Sequence, residues 1–481
     1  MRVRLMLQIL GALLVMLGCI MVIPMAVSLY YGEAGWRAFL WSIAITISIG
    51  FAAYAIGAKE QGELSHREGF AIVTLGWVFC AAAGALPYVF DQTFPNLVDA
   101  YFEAMSGFTT TGSTVLTKIE GLSRGILFWR SMTQWLGGMG IIVLSIAILP
   151  LLGVGGMQLF KAEVPGPVYD KLSPRIKDTA KTLWIVYLLF SVLEIILLKL
   201  CGMGLFDAVC HTFTTLATGG FSVRDASVGA YNSPYIDWVI ITFMALAGIN
   251  FALHYRMLRG EVKAFYKDTE FHFYIGALVV AALFVTLNVY GSVYQNGEEA
   301  FRHSAFQVVS LMTTTGYATA DFELWPHASQ LVLVLLMFFG GMAGSTAGGM
   351  KIVRIQVLFK QAYCQLYQII HPHAVVPVKL RGAVVSKEII DSIWGYCFLF
   401  IFVFFSGSLI MSFLGVDVVT SLMSVLTCLA NVGPGLGSVG PAENFQHLPA
   451  AGKWVLILCM LVGRLEVYSV LVLFVSEFWK K

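Results

Sequence analysis

Four stretches of the sequence place threonine or asparagine next to glycine directly after an apolar segment. They lie at 106–114 (SGFTTTGST), 215–222 (TLATGGFS), 308–322 (VVSLMTTTGYATADF) and 428–437 (CLANVGPGLG). Threonine and glycine are poor helix formers, so a helix in each apolar segment should end there. Glycine also allows the backbone to turn successive carbonyl oxygens to one side. Rings of such carbonyls can replace the hydration shell of a monovalent cation.

The candidate ion-binding residues are the glycine of each motif and the two residues before it. They are Thr110, Thr111, Gly112, Ala217, Thr218, Gly219, Thr314, Thr315, Gly316, Asn431, Val432 and Gly433. We treat the four glycines as equivalent, and they follow one another at intervals of about 100 residues. The sequence therefore predicts four diverged copies of one helical hairpin.

The composition indicates where these units reside. Of 481 residues, 58% are hydrophobic and only 12% are charged, which excludes a water-soluble globular protein. A spanning helix needs about 20 mainly apolar residues. Ten segments meet this requirement: 5–30, 36–57, 69–90, 128–152, 182–201, 236–258, 271–291, 329–358, 392–414 and 453–476.

Four further apolar segments, 99–111, 206–217, 302–314 and 417–431, are too short to cross a bilayer. Each lies between two spans and ends at a glycine motif, as a re-entrant half-helix would. The predicted fold class is an all-α polytopic membrane protein, with ten transmembrane helices and four re-entrant pore half-helices. They form four tandem span–pore–span repeats in a pseudo-fourfold, channel-like arrangement. The predicted divisions are 1–68 (two extra helices), 69–160, 161–265, 266–385 and 386–481.

Basic residues indicate which loops face the cytoplasm. With ten spans, four basic loops lie on the same side as both termini, and the positive-inside rule makes that side cytoplasmic. The loops contain Lys59 and Arg67; Lys161, Lys171, Arg175, Lys177 and Lys181; Arg256, Arg259, Lys263 and Lys267; and Lys360, Lys379, Arg381 and Lys387.

The four glycine loops are expected to converge. Irregular backbone at membrane depth is tolerated only where it is buried in protein or lines a water-filled cavity, so these loops should form a common pore. A helix C-terminus carries about half a negative elementary charge, which favours cations there. Ordinary C-caps ending in glycine are the alternative. They explain any one loop, but not four at matching places between spans.

The sequence resembles the TrkH and TrkG family of bacterial potassium-uptake subunits, whose wider relatives are KtrB and the plant HKT transporters. The resemblance is carried by the four loop motifs and by FFGGMAGSTAGGMK (338–351), GRLEV (463–467), QWLGGMGIIVLS and LPLLGVGGMQLF. It implies four units folded like the subunits of a tetrameric potassium channel, with potassium as the transported ion bound at the filter residues. One matched glycine per loop implies looser selectivity than in those channels. Some relatives that pass sodium carry serine at the first filter glycine, whereas Gly112 is glycine here.

The resemblance also implies partners and a location. Trk channels assemble with a cytosolic TrkA ring that binds nucleotides, so we expect a TrkA-like regulatory ring, with the nucleotide on that partner and no cofactor on this chain. A homodimer in the bacterial inner membrane is expected, and no nucleic acid. The charged segment 161–181 is a candidate docking surface for the ring, although such segments are usually only solvated.

A second glycine-rich stretch interrupts the eighth predicted span. Close helix packing through small residues would explain part of it, but the glycines are too dense for one helix face and Lys351 follows at once. By resemblance this stretch is an intramembrane loop that obstructs the permeation path, and it works with an arginine as the gate. We expect Arg464 to face the pore, because Glu466 is only two residues away and would lie on another helix face. The gate residues are then Gly340, Gly341, Gly344, Ser345, Thr346, Gly348, Gly349, Lys351 and Arg464.

Two classes of transport remain open from the sequence. A gated, potassium-selective pore is favoured by four matched hairpins, whereas a potassium symporter coupled to protons or sodium would need ionisable groups within the spans. Glu194 and Glu466 are the main candidates for such groups. An enzyme is not expected, because no metal, nucleophile or acid–base constellation is evident. The GLGSVG motif at 435–440 follows an apolar half-helix rather than a strand, so it does not indicate a nucleotide site.

Overall fold

The computed structural model describes residues 1–57, 65–147, 172–380 and 383–480. The regular secondary structure of this part of the chain is helical, apart from the antiparallel pair β1 (Lys379–Leu380) and β2 (Ala383–Val384). The helices are α1 (Val3–Ile20), α2 (Val22–Tyr30), α3 (Trp36–Gly57), α4 (His66–Phe90), α5 (Leu97–Phe108), α6 (Arg124–Ala147), α7 (Leu172–Leu200), α8 (Leu205–Leu216), α9 (Pro234–Ala247), α10 (Phe251–Leu258), α11 (Lys263–Lys267), α12 (Thr269–Val289), α13 (Gly297–Met312), α14 (His327–Phe339), α15 (Ile352–Ile370), α16 (Lys387–Phe413), α17 (Val418–Leu429), α18 (Ala450–Arg464), α19 (Tyr468–Leu471) and α20 (Ser476–Trp479).

Helices α1 and α3 pack closely through glycines. A Cβ atom added at Gly11 would lie 2.5 Å from the carbonyl oxygen of Gly50, and one added at Gly57 would lie 2.3 Å from that of Arg4. Small residues allow helix backbones to approach in this way within a membrane. This N-terminal pair precedes the helices that carry the glycine loops.

Four short helices, α5, α8, α13 and α17, occupy the segments predicted as half-helices. Three of them begin with a side-chain cap: Asn96, Asn296 and Asp417 accept hydrogen bonds from backbone N–H groups of the first turn. The caps satisfy the N-terminal donors that a helix leaves unpaired. The C-terminal end of each short helix leads directly into a glycine motif.

Three of the predicted spans are sharply bent or interrupted, which corrects the expectation of continuous helices there. The segment 236–258 is divided into α9 and α10, which meet at 101°, and 453–476 breaks after Arg464, with a bend of 114°. The segment 329–358 is interrupted between Phe339 and Ile352, where the backbone is not helical. Each break occurs beside a glycine, and glycine disfavours a continuous helix.

The count of ten spans is therefore not confirmed. Among the described residues, six helices are long and apolar enough to cross a membrane, or eight if each bent pair counts as one span. The end of the predicted span 128–152, the boundary between 160 and 161 and most of the segment 161–181 lie outside the described residues.

Polar side chains concentrate in the middle of the molecule, where the short helices end. Thr109, Thr215, Thr313 and Asn431 are fully buried, and their neighbours in the motifs are buried as well. Large apolar side chains such as Phe398 on α16 are exposed instead. The glycine motifs are therefore buried within the molecule, while part of its apolar surface is exposed, as expected for a protein that lies in a membrane.

Candidate functional site

The four glycine motifs share one backbone conformation. We number them loop 1 (109–114), loop 2 (217–222), loop 3 (313–318) and loop 4 (430–435). In each loop a residue other than glycine has a positive φ angle, and so has a glycine two positions later. These residues are Thr110 (50°), Thr218 (53°), Thr314 (58°) and Asn431 (55°), and the glycines are Gly112 (84°), Gly220 (75°), Gly316 (82°) and Gly433 (99°). Positive φ is uncommon outside glycine, so its recurrence indicates four copies of one loop.

This register corrects one equivalence made from the sequence. The glycine of loop 2 that matches Gly112 is Gly220, and not Gly219. Gly219 instead falls at the position of Thr111, Thr315 and Val432. The motif ATGG contains both glycines, and the backbone angles distinguish them.

The four loops contact one another in a closed ring. A Cβ atom added at each matched glycine would lie close to a carbonyl oxygen of the next loop. The pairs are Gly112 with Gly219 (2.2 Å), Gly220 with Thr315 (2.0 Å), Gly316 with Val432 (2.0 Å) and Gly433 with Thr111 (2.9 Å). The last contact returns from loop 4 to loop 1. Because a side chain would displace these carbonyls, glycine is required here for close approach as well as for its φ angle.

The matched glycines also line a single cavity of about 170 Å³, together with the residues that follow them in the loops. The structure thus brings together the loop residues that the sequence places about 100 positions apart. Carbonyl oxygens of Thr111, Gly219, Thr315 and Val432 lie beside the matched glycines. The ring can therefore coordinate a cation through oxygen atoms.

Hydrogen bonds between side chains stabilise the loops. The Thr111 hydroxyl lies 2.8 Å from that of Thr109 and accepts a hydrogen bond of 2.9 Å from Asn431 Nδ2 in loop 4. In loop 3 the hydroxyls of Thr313 and Thr315 are likewise 2.8 Å apart. These bonds within and between loops fix the backbone at the ring.

A buried ion pair braces loops 1 and 2, and the sequence analysis did not single it out. Glu103 on α5 and Arg130 on α6 are 2.8 Å apart, with side chains at most 1% exposed. Glu103 accepts a hydrogen bond of 3.1 Å from Val115 N, and Arg130 donates one of 3.1 Å to the Ser222 carbonyl. A charged residue inside the predicted span 128–152 was the available signal, because charges at membrane depth usually serve a function.

Tyr317, the residue after the ring glycine of loop 3, docks on the preceding short helix α8. Its hydroxyl donates a hydrogen bond of 3.0 Å to the His211 carbonyl and also contacts the Thr214 hydroxyl. Ser113 in loop 1 similarly donates a bond of 3.3 Å to the Gly433 carbonyl in loop 4. Neighbouring loops are therefore joined by side chains as well as by the ring.

Residues 340–351, the intramembrane loop, lie against the ends of the short helices. Thr346 Oγ1 donates hydrogen bonds to the carbonyls of Leu216 (2.9 Å) and Ala247 (3.2 Å). Gly348 N donates to Thr314 Oγ1 at 2.6 Å, and Gly349 N donates to the Ala430 carbonyl at 3.0 Å. The loop is thus attached to loop 3 and to the C-terminal ends of α8 and α17.

The break between α9 and α10 supports the same loop from the other side. Met342 N donates a hydrogen bond of 2.8 Å to the Gly248 carbonyl, and Phe251 N donates one of 3.1 Å to the Gly344 carbonyl. Two non-helical segments that are remote in sequence are therefore hydrogen-bonded to each other through their backbones. This pairing explains why neither segment continues as a helix.

Two buried cations contact the intramembrane loop. Lys351 is 8% exposed and its Nζ donates to the Ala347 carbonyl. Arg464 is 3% exposed and donates to the carbonyls of Thr346 (2.7 Å) and Gly137 (3.3 Å). Its Nε has no hydrogen-bond partner among the described residues. Arg464 therefore bonds to backbone carbonyls of the loop and of α6.

The two acidic residues noted in the spans have different surroundings. Glu466 pairs with the Arg354 guanidinium, so it does not neutralise Arg464 directly. Glu194 on α7 is fully buried, and neither of its carboxyl oxygens accepts a hydrogen bond from the described residues. Within the described ranges, His, Cys, Asp and Glu side chains form no group that could hold a metal ion.

Comparison with known proteins relates this geometry to a family. A family model described as a cation transport protein, TrkH, matches residues 36–481. The Trk system potassium uptake protein TrkH of Escherichia coli is 44% identical over 98% of this chain and 99% of its own length. TrkG of the same organism is 36% identical over 95% and 94%. The crystal structure of the potassium transporter TrkH from Vibrio parahaemolyticus superposes with a TM-score of 0.93 at 36% identity and covers both chains completely. The chain belongs to the TrkH family of cation transport proteins and is a multi-pass membrane protein.

Proposed function

We propose that this chain carries potassium ions into the cell through a selective pore, and that the four loops are its filter. The observation that carries the proposal is the closed ring in which each matched glycine contacts a carbonyl of the next loop. Such a ring can take the place of the hydration shell of a potassium ion. The printed names of the relatives, potassium uptake proteins, support the choice of ion.

The short helices add an electrostatic contribution. The last residues of α5, α8, α13 and α17 directly precede the ring, so four partial negative charges of about half an elementary charge each point toward it. They favour a cation over an anion. An inside-negative membrane potential then drives uptake with about 2.3 kcal/mol per charge per 100 mV.

The intramembrane loop and Arg464 act as the gate in this proposal. The loop closes the inner side of the filter, because it bonds to the ends of α8 and α17, which precede loops 2 and 4. Arg464 holds the loop through Thr346 and places a positive charge below the ring. To open the pore, this loop must break several hydrogen bonds, each of which stabilises the closed loop by about 0.5–1.5 kcal/mol.

The gate requires a regulator, and we place it on the cytoplasmic side. In this proposal the chain forms a homodimer in the bacterial inner membrane with both termini in the cytoplasm, and a TrkA-like nucleotide-binding ring controls the intramembrane loop. Five basic positions between 161 and 181 in the sequence suit a docking surface for such a ring.

A symporter that couples potassium to protons is the second candidate. The observation that favours it is Glu194, a fully buried carboxyl group without a hydrogen-bond donor in the described part of the chain. A group of this kind can bind and release a proton within a transport cycle.

Reversal potentials of the purified protein in a planar bilayer distinguish the two candidates. A pore requires the reversal potential to follow the ion gradients with fixed permeability ratios, and to stay unchanged when a proton gradient is added at constant potassium and sodium. A shift with the proton gradient, or a shift with sodium larger than the sodium-to-potassium permeability ratio from bi-ionic conditions predicts, would favour coupled transport and contradict the pore.

A further inference from the structure

Loop 2 differs from the other loops at the position before its ring glycine. The other three loops carry β-branched residues there, Thr111, Thr315 and Val432, whereas loop 2 carries Gly219. The threonine side chains anchor loops 1 and 3 through their hydroxyl contacts. Because loop 2 has two consecutive glycines, its backbone has more conformational freedom than that of the other loops. It also has no side chain at position 219 that could restrict this freedom.

The side chain of Gln134 on α6 occupies the space that this missing side chain leaves. A Cβ atom added at Gly219 would lie 2.4 Å from Gln134 Cδ and 2.5 Å from its Oε1. Unlike Gly220, Gly219 has no positive φ angle. A side chain at this position is therefore excluded by Gln134 and not by the backbone conformation.

Gln134 also makes two hydrogen bonds to the backbone of loop 2. Its Nε2 donates to the Gly219 carbonyl at 2.7 Å, and its Oε1 accepts from Phe221 N at 3.0 Å. The side chain is fully buried, so water does not compete for these bonds. They fix the residues on both sides of the ring glycine Gly220.

Residues one turn before and one turn after Gln134 on the same face of α6 also contact loop 2. Arg130, one turn before Gln134, bonds to the Ser222 carbonyl, and its guanidinium lies 4.2 Å from the centre of the Phe221 ring. One turn after Gln134, a Cβ atom at Gly138 would lie 2.8 Å from the Ala217 Cα. Spacing of four residues places all three on one side of the helix, so α6 follows loop 2 along its whole length.

We propose that Gln134 is a positioning residue for ion selection: it replaces in loop 2 the side chain that the other loops supply, and it fixes the Gly219 carbonyl in the ring. This inference rests on the proposed filter. Without Gln134 the two glycines relax, the ring contracts more easily around a smaller ion, and sodium is excluded less well. If the free-energy difference by which the pore favours potassium over sodium falls by the contribution of one hydrogen bond, ~1.4 kcal/mol, the sodium-to-potassium permeability ratio changes about tenfold.

The test is a rescue experiment read out as permeability ratios from reversal potentials under opposed sodium and potassium. Gln134→Ala is expected to raise the sodium-to-potassium ratio about tenfold. Gly219→Thr alone is expected to abolish transport or folding, because the side chain and Gln134 need the same space. The double variant Gly219→Thr with Gln134→Ala should return toward the wild-type ratio, because loop 2 then carries the residue found in loops 1 and 3.

Two further variants keep the test decisive. Gln134→Met preserves volume without hydrogen bonds and is expected to raise the ratio even if the alanine variant folds poorly. Gln356→Ala is the matched control, a buried glutamine on α15 that donates to the Thr269 carbonyl at 3.3 Å, and it should leave the ratio unchanged.

The inference is overturned if folded Gln134→Ala and Gln134→Met both keep the wild-type ratio, if Gly219→Thr alone behaves like wild type, or if the double variant is no better than Gln134→Ala. Gly316→Ser in the same assay separates this failure from failure of the filter itself. A shifted ratio for Gly316→Ser with none for Gln134 rejects only the role of Gln134. Unchanged ratios for both reject the filter assignment.

Discussion

Replacing Arg464 with alanine is expected to raise ion flux in the absence of any partner. Arg464 donates a hydrogen bond of 2.7 Å to Thr346 in the intramembrane loop, and a hydrogen bond from a charged donor contributes about 1.5–3 kcal/mol. If that bond stabilises only the closed loop, its loss shifts the equilibrium toward the open loop by about 10- to 150-fold. Removal of the positive charge below the ring acts in the same direction.

The assay is paired: rubidium uptake into liposomes, and the melting temperature of the same preparation. Uptake should rise, and the melting temperature should fall less than in the control that follows, because Arg464 bonds to backbone carbonyls and the variant leaves no described carboxylate without its partner. Arg302→Met is the matched control, because Arg302 is a buried arginine paired with Asp237 at 2.5 Å. Breaking such a pair costs about 3–5 kcal/mol of stability and should not increase uptake. A lower melting temperature together with reduced uptake for Arg464→Ala would refute the gate and assign Arg464 a structural role.

Three other outcomes are expected. Gly112→Ser should raise the sodium-to-potassium permeability ratio roughly tenfold, because a Cβ atom there would lie 2.2 Å from the Gly219 carbonyl oxygen. An unchanged ratio in the folded variant would count against a role of Gly112 in selectivity. Deletion of residues 344–348 should increase rubidium uptake without a partner, because it removes the hydrogen bonds from Thr346 to Leu216 and from Gly348 to Thr314. A folded deletion variant that conducts less than the wild type would contradict the proposal that this loop obstructs the pore. Glu194→Gln should leave the reversal potential dependent on potassium alone, whereas loss of a proton-dependent shift that the wild type possesses would establish coupling through Glu194.

The short helices were predictable because their lengths follow from hydropathy alone. An apolar segment of 11 to 15 residues between two longer ones has few alternatives in a bilayer, and α5, α8, α13 and α17 lie where this reasoning places them. The helix breaks were less accessible. Hydropathy reports that 236–258 is apolar, but it does not report that Gly248 and Phe251 bond to the intramembrane loop about 100 residues later.

The details of the filter depended on contacts between remote residues. Nothing local in ATGG distinguishes Gly219 from Gly220. The structure distinguishes them by the positive φ angle of Gly220 and by Gln134, 85 positions before Gly219, which occupies the space beside Gly219. The ion pair of Glu103 and Arg130 was missed for a related reason, because each residue alone is a single charge within an apolar segment and the sequence does not show that the two meet. Sequence patterns thus located the four loops that we propose as the filter, while the side chains that support loop 2 became apparent only from the packing of α6 against it.

All four quarters of the ring are encoded in one chain, so a single substitution alters one quarter only. In an assembly of four identical subunits the same substitution would enter four times, and independent effects on free energy would add. The four loops of this chain have already diverged. Asn431 stands where the other three loops carry Thr110, Thr218 and Thr314, and Gly219 stands where loops 1 and 3 carry Thr111 and Thr315. If the ring is the proposed filter, its selectivity can therefore change in small, separate increments, one loop at a time.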